Sequence, residues 1–533
     1  MDRQTKRDWL WLAVLGLLVQ AFWAARLAHP SYFDAYYYTI GGQQLATGQG
    51  FTEPVIWQYL DDPAGLPKPS HTYWMPLTSM VAAAGYWVHD SFRGAQLPFW
   101  LMAGLLPLLS YAISRRFSAE RWQARTAALF TMAGGYYAAY WNQPSTFVLF
   151  AWVGGGCLFA LALAQARQRG AYWLAAGVLA GLAHLTRADG LVLLAVALWV
   201  WLLGVRDVWR AQTGQPRLAL QGGQLLLLLA GYLLVMGGWF YRTWLLSGRV
   251  LSTVGTQTIF LTDYNDLFAY NRQFDLAGYL AWGWGNILRS KLDGLWLSLQ
   301  TYVGVVGLTA FSFFVVVGWL RVGQGRTAPE RVAIRRFLRP VSWYALALFI
   351  AMSLIFTFPG GRGSLLHSST ALWPWSMALA AAGIGLSVDW IAARRSHWNP
   401  QVAKRFFAVT FVLLVFVISL AVSGGQPLRE AEGAVYAEIG AALPAGSIVM
   451  SGSAPNFYYH TGLMAIVTPN EPPAGVLAAA RQFGADYLLL DPDRPPPLAG
   501  LYAGEVSLPE LVLRQTYPGG FQLYQILPPG ELP

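Results

Sequence analysis

Eleven apolar runs leave this chain little freedom in what it folds into. They fall at roughly 9–28, 97–113, 126–141, 146–165, 171–186, 190–204, 221–240, 296–319, 341–357, 371–391 and 406–423. Most approach the ~20 residues that cross a hydrocarbon core as a helix. Inside a bilayer a helix satisfies its own backbone, which an open loop or sheet edge cannot do. Trp and Tyr gather at the ends of the runs, as in the aromatic belts of membrane helices. A soluble coat is missing, since only 12% of residues are charged and 55% are hydrophobic, against about a quarter charged in soluble domains. The expected fold is a polytopic α-helical membrane protein of about eleven transmembrane helices.

The net charge of +10 raises the question of nucleic acid. The basic residues stand in short clusters between apolar runs rather than on one continuous face, which argues against that partner. Cys157 is the single cysteine and lies inside an apolar run, so internal disulfides and multi-cysteine metal sites are excluded. The run at 9–28 follows Arg3, Lys6 and Arg7 like a signal peptide. Its length and the lack of a small-x-small cleavage site before Pro30 make it a retained first span.

Charge then sets the topology. The N-terminus and alternate loops carry Arg115, Arg116, Arg121 and Arg125, then Arg167 and Arg169, then Arg206, Arg210 and Arg217. The later loops carry six arginines between Arg321 and Arg339, then Arg394, Arg395, Lys404 and Arg405. Together these make 22 of the 36 Lys and Arg, all on one side of an eleven-span arrangement. The positive-inside rule assigns that side to the cytoplasm, and so predicts an inner (plasma) membrane protein with its N-terminus inside and C-terminus outside. The membrane domain is expected over 1–423, with external loops at 29–96, 241–295 and 358–370. The tail, 424–533, reads as an extracytoplasmic α/β domain. Helices are expected at Gly433–Leu443 and Pro473–Phe483, with strands at Ser447–Met450, Met464–Val467, Tyr487–Leu490 and Phe521–Ile526.

Ionisable residues other than cytoplasmic anchors collect in the external loops, where chemistry is expected. After the first span, Ala35–Thr47 is predicted to be a short amphipathic helix on the membrane surface with Asp34 at its N-cap. Asp34 therefore either caps that helix or offers a carboxylate to a substrate whose head group lies at the same depth. Lys68 precedes an apolar stretch ending at Val88 that is too short to span and suits a re-entrant or interfacial helix. It is a candidate for meeting an anionic phosphate or for snorkelling as an anchor. Arg242 follows the seventh apolar run on the side where basic residues are disfavoured. Arg187 and Asp189, in Leu185-Thr-Arg-Ala-Asp-Gly190, read as a salt-bridged turn between two spans. The acidic, aromatic stretch from Asp263 and Tyr264 to Asp275 offers ring faces and hydrogen-bonding groups of the kind sugars favour.

Several of these segments resemble a known family. A span is followed by Phe33-Asp34, a Tyr-rich helix, Ala46-Thr-Gly48, then Lys68-Pro-x-x-x-Tyr73-Trp74 and an interfacial helix. That order is similar to the first external loop of GT-C glycosyltransferases, with dolichyl-phosphate-mannose–protein mannosyltransferases and bacterial lipid A aminoarabinose transferases nearest in pattern. Gly238-Trp-Phe-Tyr-Arg242-Thr-Trp-x-x-Ser-Gly248, Arg362-Gly-Ser-Leu-Leu-His367, Tyr458-Tyr-His-Thr-Gly462 and Ala485-Asp-Tyr-Leu-Leu-Leu490 resemble further segments of those enzymes.

The resemblance implies transfer of a sugar from a membrane polyprenyl-phosphate donor to a protein, lipid or polysaccharide acceptor, with inversion. Asp34 would be the base. Lys68, Arg242 and Arg362 would bind the donor phosphate, and Tyr36, Tyr37, His71, Tyr73, Asp263, Tyr264 and His367 would contact substrate. Family members often carry two adjacent acids where this chain has Asp34-Ala35. Glu53, Asp61 and Asp62 are the substitutes in the same loop, and Asp34, His71 and Glu53 are candidate ligands for a divalent metal ion, with His367 a further one. Against a secondary transporter, the runs hold almost no ionisable residue beyond their ends. A polysaccharide ligase or polymerase would concentrate its residues in one late external loop, and a membrane scaffold would tolerate loss of Asp34.

Overall fold

The computed structural model describes residues 2–118, 120–210, 215–395, 397–423 and 430–528. Helices account for all eleven apolar runs over most of their length. In chain order they begin with α1 (Arg3–Ala25), α2 (Phe33–Ala46), α3 (Leu77–Val88), α4 (Phe92–Phe117), α5 (Arg121–Ala133), α6 (Thr146–Arg167), α7 (Gly170–Thr186), α8 (Leu191–Arg210) and α9 (Gln215–Ser247). After them come α10 (Trp284–Gln300), α11 (Ala310–Arg321), α12 (Ala328–Ile350), α13 (Trp373–Ala392) and α14 (Pro400–Ser423). Among the described residues, eight helices are long and apolar enough to cross a bilayer, or nine if one bent pair forms a single span. The two remaining runs correspond to α5 and α7, with 13 and 17 residues.

The bent pair corrects the expectation of one straight run at 296–319. The chain turns by 90° between Val306 and Ala310. Leu308 and Thr309 sit there in the left-handed region, at φ 45° and 54°, which breaks the helical hydrogen-bond ladder.

Small residues let the helices approach. A Cβ on Gly318 would collide with the Leu379 carbonyl oxygen, and one on Gly383 with that of Phe314, so α11 and α13 pack backbone to backbone. Gly383→Val should cost about 1–3 kcal/mol by overpacking and lower the thermal midpoint in detergent. An unchanged midpoint would show that the seam is not tight.

Loops that share a side in the charge pattern also meet in space. Arg121 pairs with Asp2 at 2.9 Å, Arg125 with Asp8 at 2.8 Å, Arg339 with Asp207 at 3.1 Å and Lys404 with Asp389 at 2.9 Å. One end of the bundle therefore carries these cations.

The helix after the first span is not an amphipathic surface helix. α2 begins at Phe33 with Tyr32 as N-cap, and Asp34 lies in its first turn rather than at the cap. Residues Ala35 to Gly42 are all buried, because α2 packs on α3 and on a helix of the C-terminal domain. α3 is 12 residues long, too short to span, and its exposed Met80, Trp87 and Val88 leave an apolar outer face.

The tail forms α15 (Glu430–Ala442), α16 (Ala454–Thr461) and α17 (Pro473–Phe483) around a sheet. The expected boundary at 423/424 borders residues 424–429, which lie outside the described residues. Within the first loop, β1 (Thr52–Glu53) pairs antiparallel with β3 (Lys68–Pro69), while β2 (Val55–Ile56) leaves that loop for the tail. There it joins β4 (Val449–Ser451), β5 (Ala465–Val467), β6 (Tyr487–Leu490), β7 (Leu511–Tyr517) and β8 (Phe521–Ile526) in the order β2-β5-β4-β6-β8-β7. The first four strands are parallel and the last two antiparallel. Ile56 and Tyr59 of the loop share a core with Met450, Ile466 and Leu488 of the tail. The loop is thus built into the domain.

Candidate active site

Asp34 stands at the start of α2, where the unpaired N–H groups of the first turn favour a negative charge. Its side chain is 23% exposed, and Oδ2 lies 3.6 Å from Nε2 of buried His367. Burial pushes the Asp34 carboxyl up to about 6, while the Arg187 guanidinium pulls the other way. His367 is held from behind by Thr146 Oγ1, 2.6 Å from Nδ1, and by the Phe147 ring stacked at 3.8 Å.

Arg187 extends this network. Its guanidinium donates to both carboxylate oxygens of Asp189 at 3.0 and 3.1 Å, and to Ser368 Oγ at 3.1 Å. Ser368 Oγ in turn donates to Asp189 Oδ2 at 2.6 Å. A weaker contact of 3.5 Å joins Arg187 to Thr146. Asp34, His367, Thr146, Arg187, Asp189 and Ser368 therefore form one continuous polar chain across four parts of the sequence.

Arg187 and Asp189 line a cavity of about 450 Å³. Its other polar wall is Tyr38 with His71, Thr72 and Tyr73 of the first loop. The rest is mainly apolar, with Leu191, Val192, Met236, Phe240, Ile259 and Phe356 among its walls. Asp34 is one helical turn before Tyr38 on the same face of α2, and its charge helps hold the Tyr38 and Tyr73 hydroxyls above their ordinary values, burial being the larger cause.

No family model and no curated protein matches the sequence. Solved structures do. ArnT from Cupriavidus metallidurans, in the apo state, is similar with a TM-score of 0.55 at 15% identity, over 98% of each chain. The archaeal oligosaccharyltransferase AglB from Archaeoglobus fulgidus is similar with a TM-score of 0.51 at 13% identity, over 100% of this chain and 75% of that one. That structure holds an inhibitory peptide and a dolichol-phosphate. The chain shares its fold with these two solved structures.

Within this fold the expected site residues divide. Asp34 and His367 meet. Tyr73 and Tyr264 lie within reach of the Asp34 charge, and exposed Arg362 caps the Tyr264 ring at 4.5 Å. His71 lines the cavity, but its backbone N–H donates to the Tyr37 hydroxyl at 3.0 Å, tying both to the loop. Tyr36 turns away, its hydroxyl 2.9 Å from His29 and 3.2 Å from His460. Asp263 caps a turn by accepting from the Asn265 N–H at 2.8 Å.

Lys68 and Arg242 are placed differently from the phosphate-binding expectation. Lys68 is buried, with its ammonium 2.7 Å from Asp61 and 3.3 Å from Glu53, because the β1–β3 ladder sets Glu53 opposite Lys68. Two carboxylates thus face its single charge. Removing one partner of such a buried set costs about 3–5 kcal/mol, so Lys68→Met should lower thermal stability. A variant that melts like the parent and only binds donor less well would return Lys68 to the phosphate. Arg242 donates to the Ser70 carbonyl at 2.9 Å and covers the Trp239 ring at 4.5 Å, bracing the loop against α9.

Asp34, His71 and Glu53 do not come together as one ligand set: Glu53 lies 3.3 Å from the Lys68 ammonium, and His71 is tied through its backbone to Tyr37. Among the described residues no group of three His, Cys, Asp or Glu could hold an ion.

Arg187, Asp189, Thr146 and Ser368 were legible in sequence only as an internal salt bridge and two ordinary hydroxyls. The salt bridge is present. The available signal for more was a basic residue on the side where the positive-inside rule disfavours one.

Proposed function

We propose that this chain is an integral-membrane, inverting glycosyltransferase that moves a sugar from a polyprenyl-phosphate carrier to an acceptor hydroxyl on the extracytoplasmic face. The observation that carries the reading is the polar chain that begins at Asp34 and whose Arg187–Asp189 end lines a largely apolar cavity. An isoprenoid tail suits the apolar walls, and its phosphate suits the guanidinium end.

In this reading Asp34 takes the acceptor proton as the hydroxyl oxygen attacks the anomeric carbon. The bond to the phosphate oxygen breaks on the opposite face. The phosphate leaves with its charge stabilised by the fixed donors of Arg187. His367, held by Thr146 and Phe147, fixes the orientation of Asp34.

The experiment is reconstitution with a panel of synthetic polyprenyl-phosphate sugars, scored by release of polyprenyl phosphate. Consumption of a lipid-phosphate sugar supports the proposal. Failure to consume any of them, with cell-envelope acceptors supplied, would sink it. Orientation is tested separately. Cys157 is buried, so single cysteines at exposed Glu120 and Glu330 report without background. Both should label only from the cytoplasm; labelling from outside would reverse the topology and move the site with it.

A further inference from the structure

A second cavity, of about 220 Å³, lies on the other side of α2. Tyr32 and Tyr36, one turn apart, form one wall with Phe33, whereas Asp34 and Tyr38 occupy the opposite face of the helix. The facing wall belongs to the C-terminal domain, with Glu432 of α15 and Ser453 and Asn456 at the start of α16.

Its position in that domain is informative. β4 ends at Ser451 between two parallel neighbours, β5 and β6, and α16 begins two residues beyond Gly452. Open α/β sheets bind ligands in this crevice, at the carboxyl ends of parallel strands. Asn456 is only 7% exposed, and its Oδ1 is buried without a hydrogen-bond partner among the described residues. A buried acceptor in that state is destabilising until a donor reaches it.

The charge of the lining selects the ligand. Glu432 faces the cavity, and Asp491 after β6 is close enough to feel its charge. Two carboxylates disfavour an anion, although α16 offers unpaired backbone N–H groups. A neutral hydroxyl both donates and accepts, and so satisfies carboxylate, amide oxygen and N–H together. The Tyr36 and Phe33 rings supply the apolar surface against which a sugar ring stacks.

We propose that this cavity binds a neutral saccharide unit, and that in the transfer reaction it holds a part of the acceptor remote from the reacting hydroxyl. The separation across α2 is about one helix diameter, ~10 Å, so the acceptor is an extended molecule rather than a monosaccharide. The role as acceptor subsite rests on the transferase reading; the binding of saccharide does not.

The test uses the full chain in nanodiscs and equilibrium dialysis against labelled neutral trisaccharides of glucose, mannose, galactose and N-acetylglucosamine, with inorganic phosphate as the anionic probe. At least one trisaccharide should bind saturably, Asn456→Leu should weaken it tenfold or more, and Asp34→Asn should bind as the parent does. Should Asn456→Leu misfold, Glu432→Gln at the exposed rim must show a weakening of the same sense. No trisaccharide binding, binding unchanged in these variants, or competition by phosphate would overturn the proposal. Saccharide binding by a protein that consumes no lipid-phosphate sugar would sink the transfer reading and leave this one standing.

Discussion

Replacing Asp34 by Asn is expected to lower the transfer rate by about 10²- to 10⁴-fold, the range a positioned general base contributes. The change is nearly isosteric and leaves the Thr146 bond to His367 in place, so membrane insertion and thermal midpoint should stay near those of the parent. A base works only when ionised. Because burial holds Asp34 up to about 6, the rate of the parent should fall as pH drops through that value and level off above it. Asp34→Glu, with the carboxylate displaced by one methylene, should retain part of the rate. Near-parental turnover in Asp34→Asn, or a rate flat from pH 5 to 8, would remove Asp34 from the reaction.

The second large effect is expected at Arg187. It is the cation most firmly fixed at the cavity, tied at both ends of its fork to Asp189. Arg187→Met alone leaves Asp189 as a buried carboxylate without its counter-ion, at a cost of about 3–5 kcal/mol, so loss of activity there would be uninformative. The double variant Arg187→Met/Asp189→Leu removes both charges and should recover much of the stability. Its rate should still be down on the order of 10²-fold or more, as when one preorganised donor is taken from a developing anion. Arg187→Lys keeps the charge but not the fork and should fall between. A double variant that turns over normally would show that the leaving phosphate is met elsewhere, with exposed Arg362 the next candidate.

How much of this could be read from sequence follows from the range of the forces involved. Pro473–Phe483, Tyr487–Leu490 and Phe521–Ile526 form with the expected ends, because their limits are local: Pro472 and Pro473 open the helix and Gly484, in the left-handed region at φ 67°, closes it. Leu511–Tyr517 escapes notice since its middle residues are exposed and a register shift interrupts it between Leu513 and Gln515. α2 is Tyr-rich and short, which suits a membrane surface equally well, until tertiary packing buries it beneath α16. Asp34 drew notice from sequence by its place just past a span and by the family resemblance of the segment around it. The pairing of Lys68 was hidden for the converse reason, as Glu53 is set opposite it by a two-residue ladder that leaves no pattern. The Arg187 network joins residues from four separate helices and turns, and no spacing in a single sequence encodes such a meeting.

The sheet order carries a consequence for how the protein becomes active. Residues 55–56 are made first, and their parallel partner, 465–466 in β5, follows about 410 residues later. Until it arrives, the first loop has an unpaired edge and α2 lacks the helix that covers it. Maturation of the loop therefore waits on the tail. A chain stopped before the tail would lack the strand that fixes the first loop and the helix that covers α2, and with them a set position for Asp34.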